Sequence, residues 1–145
     1  MTVTSTPVAR RSGLTVVAGV LAAAVLAVAV NALIAVIAHA FGASDAFQPL
    51  QFGAYAFLTV AGTLIAAAGW AAIRRWTKRP AAVLRWLVPA VLVVSFGPDL
   101  ALLGGDAQPG TSGLAVVALI VMHINVAAVA VPIFRRVLPL PDDRT

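Results

Sequence analysis

An all-α bundle of four membrane-spanning helices with both termini in the cytoplasm is the architecture this sequence predicts, and three observations carry it. Hydrophobic residues fill 61% of the 145 positions and charged residues only 10%, whereas a soluble domain carries roughly 25% charged residues. The apolar residues fall into four long runs separated by short polar segments. All ten Lys and Arg residues lie on one side of the membrane those runs imply, and the two loops on the other side carry only Asp; cytoplasmic loops collect Lys and Arg, so that side is inside. The whole chain, 1–145, reads as a single membrane domain.

Residues 1–13 form a short cytoplasmic tail, and the first span covers about 14–41. Arg10-Arg11, the apolar run and Ala38-His39-Ala40 imitate the three regions of an export signal. The run is about twice the usual 7–15 residues of a signal core, so it reads as a retained helix. Gly19, Ala23 and Ala27 make a smooth strip suited to close helix approach. The loop 42–51 has turn formers and is ringed by Phe41, Phe47, Phe52, Tyr55 and Phe57, which suggests an aromatic belt.

The second span covers about 51–73. It carries a second small-residue strip, Gly62, Ala66 and Gly69, and two threonines, Thr59 and Thr63, whose hydroxyls can bond the preceding turn. Arg74 to Arg79 hold four cations in six residues and, with Trp70, Trp76 and Trp86, mark the cytoplasmic interface. The third span, about 81–103, is the unusual one. Only thirteen uncharged residues separate Arg85 from Asp99, too few to cross a core of about 30 Å. Arg85 can snorkel, which leaves Asp99 in the outer part of the membrane, just after Gly97-Pro98, where a kink or break is expected. The fourth span covers about 114–134, and 135–145 is a second cytoplasmic tail. Asp45-Ala46-Phe47-Gln48-Pro49 is echoed by Asp106-Ala107-Gln108-Pro109 at the two outer turns, a short echo compatible with duplication.

Polar residues inside the spans are the candidates for function, since a polar group facing lipid is costly. Asn31 and His123 lie roughly ten residues from the outer ends, about 15 Å deep at 1.5 Å per residue. Asn125 lies a little deeper, Asp99 shallower, and His39 almost at the surface. Together they suggest a polar column opening outward. The plainer alternative is that Asn31, Asn125 and His123 hydrogen-bond between helices and set their register, and that Asp99 belongs to a turn. An immersed Asp99 needs His123, His39 or water as its partner, or a proton of its own.

Several classes are set aside. The formal charge of +5 comes from residues spread around apolar spans, which does not make a nucleic-acid surface. The absence of cysteine excludes thiol chemistry and thiolate metal sites. No nucleophile motif or dense carboxylate cluster supports catalysis. His39 and His123 differ too much in depth to share a haem. No cofactor or metal is expected. A transporter or channel needs polar groups along a pathway, and the inner halves of the spans are almost wholly apolar; only an oligomer could build one.

The Arg-flanked, Ala/Val-rich first span with Asn31, the Ser95-Phe96-Gly97-Pro98 segment and Met122-His123 resemble a family of uncharacterised four-helix membrane proteins common in actinobacteria. The resemblance spans most of the chain and implies topology and compartment; it carries no activity. The expectation is therefore a small non-enzymatic membrane protein. It binds a lipid or small molecule in an outward-facing polar pocket formed by Asn31, Asp99, His123, Asn125 and His39, or serves as an accessory subunit. The alternative is an oligomeric small-solute or proton-linked transporter. Its partners are membrane lipids and either another membrane protein or a second copy of itself, and no nucleic acid.

Overall fold

A computed structural model of the chain describes residues 12–105 and 108–141. The two outermost tails, with Arg10 and Arg11, and the pair Asp106-Ala107 lie outside the described residues, as do the expectations placed on them. Four helices follow one another: α1 (Gly13–Ala40), α2 (Phe52–Trp76), α3 (Pro80–Ala101) and α4 (Gly113–Val137). Short 3-10 turns lie at Gln48–Leu50 and Leu102–Gly104. All four helices, α3 counted with its 3-10 extension, are long and apolar enough to cross a membrane. In hydrocarbon only a helix satisfies its own backbone without a neighbouring strand.

Each helix begins and ends for a local reason. Ser12 caps α1 by accepting a hydrogen bond from the Thr15 amide at 3.2 Å. At its other end the Gly42 amide bonds the His39 carbonyl and the Ala43 amide reaches back to the Ala38 carbonyl. Gly42 stands between them at φ +99°, the left-handed closure that glycine adopts without penalty. α2 runs to Trp76, almost one turn past the expected end at residue 73, so Arg74 and Arg75 lie on its last turn. The Thr77 amide and hydroxyl both bond the Ile73 carbonyl and end it. Three residues later Pro80 opens α3 at a position where its missing donor costs nothing.

α3 carries Pro89 and Pro98 in its interior, yet it is continuous from Pro80 to Ala101. Of the kink or break expected at Gly97-Pro98, the break does not occur, and the helix tightens to 3-10 turns only at Leu102. α4 is capped by Ser112, which accepts from the Ala115 amide.

The helices alternate in direction. The start of α1 and the ends of α2 and α4 meet at one end. There Trp70 Nε1 donates to the Leu138 carbonyl at 3.1 Å, and a Cβ added to Gly19 would lie 2.5 Å from the Val137 side chain. This is the basic end, with Val20, Ala23, Leu84, Ala130 and Phe134 in its core. At the opposite, turn end the core gathers around Phe47, Leu50, Tyr55, Ala115 and Met122. The α1 strip of Gly19, Ala23 and Ala27 is spent on packing: Ala23 and Ala27 are fully buried.

Two aromatic expectations need correction. Trp70 is only 4% exposed, edge-on to Phe134 at 5.9 Å between ring centres, so it is a core residue, while Trp76 and Trp86 stand exposed. Phe47 is completely buried and Tyr55 nearly so, whereas Phe41, Phe52 and Phe57 point outward. Hydropathy marks aromatic residues near an interface but does not say which of them turn inward.

The packing is uneven. α1 packs most extensively on α4 and then on α2; α3 leans on α4 and only thinly on α2. In the most apolar window of each helix a third of α1 and of α4 is buried, against 6% of α3. The seam between α2 and α3 is therefore open.

Candidate functional site

Asn31 is 1% exposed and sits at the crossing of three helices. Its side-chain NH2 donates to Thr59 Oγ1 on α2 at 2.9 Å, and its Oδ1 accepts from Asn125 Nδ2 on α4 at 2.8 Å. Asn125 Nδ2 also donates to the Ala27 carbonyl on α1 at 3.1 Å. Thr59 thus uses its hydroxyl as an interhelical acceptor, a role beyond the bond to its own preceding turn that the sequence allowed it. Thr63 does behave that way, donating to the Thr59 carbonyl at 2.7 Å. Thr59 is not among the site residues the sequence predicts; the signal that could have found it is its position roughly level with Asn31 in the neighbouring span.

This network joins helices whose apolar surfaces gain nothing by leaving lipid for one another, so hydrogen bonds carry part of the specificity. Replacing Asn31 with Leu should lower stability by roughly 1–2 kcal/mol, since two interhelical bonds are lost at about 0.6 kcal/mol on average and 1.7 at most. Reversible unfolding in mixed micelles with rising dodecyl sulfate measures it. A change below measurement error would show that the network sets no register.

Asp99 is brought to His123. The carboxylate side chain is only 10% exposed, and Oδ2 lies 3.0 Å from His123 Nδ1. The same Nδ1 lies 2.9 Å from the Leu119 carbonyl, one turn earlier on α4. The direction of an Nδ1–H favours the carbonyl over the carboxylate. Oδ2 is consequently a buried oxygen without a hydrogen bond among the described residues, close to the imidazole but off its donor axis. Phe96 stands edge-on to the same imidazole at 6.4 Å.

Asn31, Asp99 and His123 share a lateral cleft of about 640 Å³ between α2, α3 and α4. Its walls are otherwise almost wholly apolar, and the α2 face that forms one wall includes Thr59, Gly62, Ala66 and Gly69. A Cβ added at Gly62 or at Gly69 would meet nothing within 4 Å. The second small-residue strip, which by its spacing suggested contact with another helix, therefore faces open space. The lining of α2 runs from Tyr55 to Ile73, about 27 Å at 1.5 Å per residue, which is most of a hydrocarbon core of about 30 Å.

Asn125 stands behind Asn31 and does not line the cleft. His39 does not join either: its Nδ1 lies 3.0 Å from the Ala43 carbonyl and 3.4 Å from Asp45 in the loop after α1. No three of His, Cys, Asp and Glu come together among the described residues as they would to hold a metal ion.

Four long apolar helices around a hydrogen-bonded middle layer, with a side cleft, define a multi-pass membrane bundle. Within that class the chain belongs to a family of unknown function, DUF6069, whose model matches residues 7–139. No curated protein and no solved structure matches it.

Proposed function

We propose that this is a non-enzymatic plasma-membrane protein, with both termini cytoplasmic, that holds an amphiphilic lipid or small molecule in the cleft between α2, α3 and α4. The observation that carries the reading is Asp99: a largely buried carboxylate on the wall of an otherwise apolar cleft, with its Oδ2 left without a hydrogen bond among the described residues. Sites for small ligands have this composition, an apolar cavity of about 300–1,000 Å³ with a few placed polar groups. The orientation rests on Arg74, Arg75, Lys78, Arg79, Arg85, Arg135 and Arg136, which share the basic end. The bacterial compartment rests on the resemblance to actinobacterial membrane proteins.

In this reading Asn31, Thr59 and Asn125 hold the three-helix frame and α3 forms the movable wall, since little of it is buried. A ligand enters sideways from the bilayer and places its polar group against Asp99 and His123. The apolar inner half offers no polar relay across a single copy, which weighs against the transport alternative.

Native mass spectrometry of the protein extracted gently from its own membrane tests this. A stoichiometric adduct in the wild type that disappears in Gly62→Leu and Gly69→Leu supports it. At both positions an added Cβ meets nothing within 4 Å, so the larger side chain has the cleft to enter and the fold is expected to be kept. A bare protein, an adduct unaffected by these substitutions, or only a co-purifying polypeptide in the adduct's place would each reject it, the last in favour of an accessory subunit.

A further inference from the structure

From the charge pattern around the cleft we infer that the ligand is a lipophilic organic cation carrying a single positive charge, held by the Asp99 carboxylate. This rests on the cleft reading and names the ligand class within it.

Taking an ionised carboxylate out of water is costly unless a counter-charge and hydrogen bonds compensate. Among the described residues neither Asp99 oxygen accepts a hydrogen bond. Oδ2 is closed in against the imidazole of His123, and the residue as a whole lines the cleft. Three things can balance the charge: a proton on the carboxyl, a second proton on His123, or a positive group entering the cleft. Only the third makes use of an open cleft beside it.

The surroundings favour that third partner over an anion. The groups facing the cleft from the other elements are Asn31 on α1, Tyr55 and Thr59 on α2, and His123 on α4, with Ser95 on α3 itself. None of these carries a fixed positive charge. At the far end Arg85 and Arg135 border a smaller cavity of about 370 Å³ that adjoins the cleft at Trp70, Leu84, Val88 and Val131; Arg85 is fourteen residues from Asp99 on the same helix, about 21 Å away at 1.5 Å per residue. An anion placed at Asp99 would meet a like charge with no cation to offset it. A cation with a hydrocarbon body meets its counter-charge and also covers apolar walls, including the smooth Gly62, Ala66 and Gly69 floor.

Two ions of the same shape and opposite charge give the decisive comparison. The protein is placed in nanodiscs of phosphatidylcholine, and tetraphenylphosphonium and tetraphenylborate are each equilibrated with loaded and empty discs by dialysis. Stoichiometric protein-dependent binding of the phosphonium is expected, with none of the borate above empty discs. Asp99→Asn should weaken phosphonium binding at least tenfold, and Gly62→Leu should abolish it.

The selectivity is read on the wild type, so it stands even where Asp99→Asn fails to fold. Equal binding of both ions, or no phosphonium binding, would overturn the cation reading, as would a folded Asp99→Asn protein that binds like the wild type. The cleft itself is judged separately: a native adduct lost in Gly62→Leu, with no charge selectivity, would leave the cleft standing and remove the cation. Phosphonium binding unchanged in Gly62→Leu would place the ion outside the cleft and overturn the cation reading, leaving the cleft to the native-adduct test.

Discussion

Replacing Phe134 with Ala should cost about 3–5 kcal/mol of stability, the usual range for truncating a buried phenylalanine. Phe134 is 1% exposed and lies edge-on to Trp70 at 5.9 Å, with Val20, Leu84 and Leu138 in the same cluster. Trp70 is held in turn by its hydrogen bond to the Leu138 carbonyl, so one ring supports the contact of α2 with the end of α4. Removing it leaves a void beside Trp70 and Leu84 that opens toward the cleft, which Phe134 also lines. Phe134→Leu keeps most of the volume and should cost clearly less. Equilibrium unfolding in mixed micelles, followed by tryptophan emission, compares the two. A loss under about 1 kcal/mol for Phe134→Ala, far below the cavity range, would mean that the basic end is not a packed core.

At the turn end the largest effect is expected at Gly110. Its φ is +75°, and a Cβ there would lie 2.7 Å from the Ser44 side chain and 3.2 Å from the Phe47 amide nitrogen. Two penalties act together in Gly110→Val. A β-branched residue is strained in the left-handed region by about 1–3 kcal/mol, and the added methyl groups push the two turn-end loops apart where Phe47 is fully buried. The variant should lose about 2–6 kcal/mol, combining that strain with overpacking of about 1–3 kcal/mol. The same substitution at Gly113, where an added Cβ meets nothing within 4 Å, should be much milder. If the two variants unfold alike, the loops do not pack as described.

Gly110 and Thr59 show where sequence reasoning runs short. A glycine in Gln108-Pro109-Gly110 announces a turn, but the close approach of Ser44, sixty-six positions earlier, adds a second need for glycine that the local sequence does not show. Asn31 was legible because an amide in an apolar run is conspicuous, and its partner Asn125 because it is another. Thr59 was not, because a hydroxyl can satisfy itself on its own helix, so its sequence context does not reveal whether it reaches a neighbour. The Asp99–His123 pair was legible as one pairing among three. His39, equally conspicuous in the sequence, belongs to the loop after α1.

By itself the sequence determined the four helices, their approximate limits and the concentration of Lys and Arg at one end. The reason is that hydrocarbon demands about twenty apolar residues per span and a backbone that bonds within itself. Only the tertiary structure decided which faces meet. In a soluble helix an apolar stripe points to the core, but lipid is as apolar as a protein interior, so Ala, Val and Leu look the same whether they face a helix or the bilayer. That is why one small-residue strip, on α1, packs tightly while the other, on α2, lines an open cleft, and why α3 lies so loosely beside it.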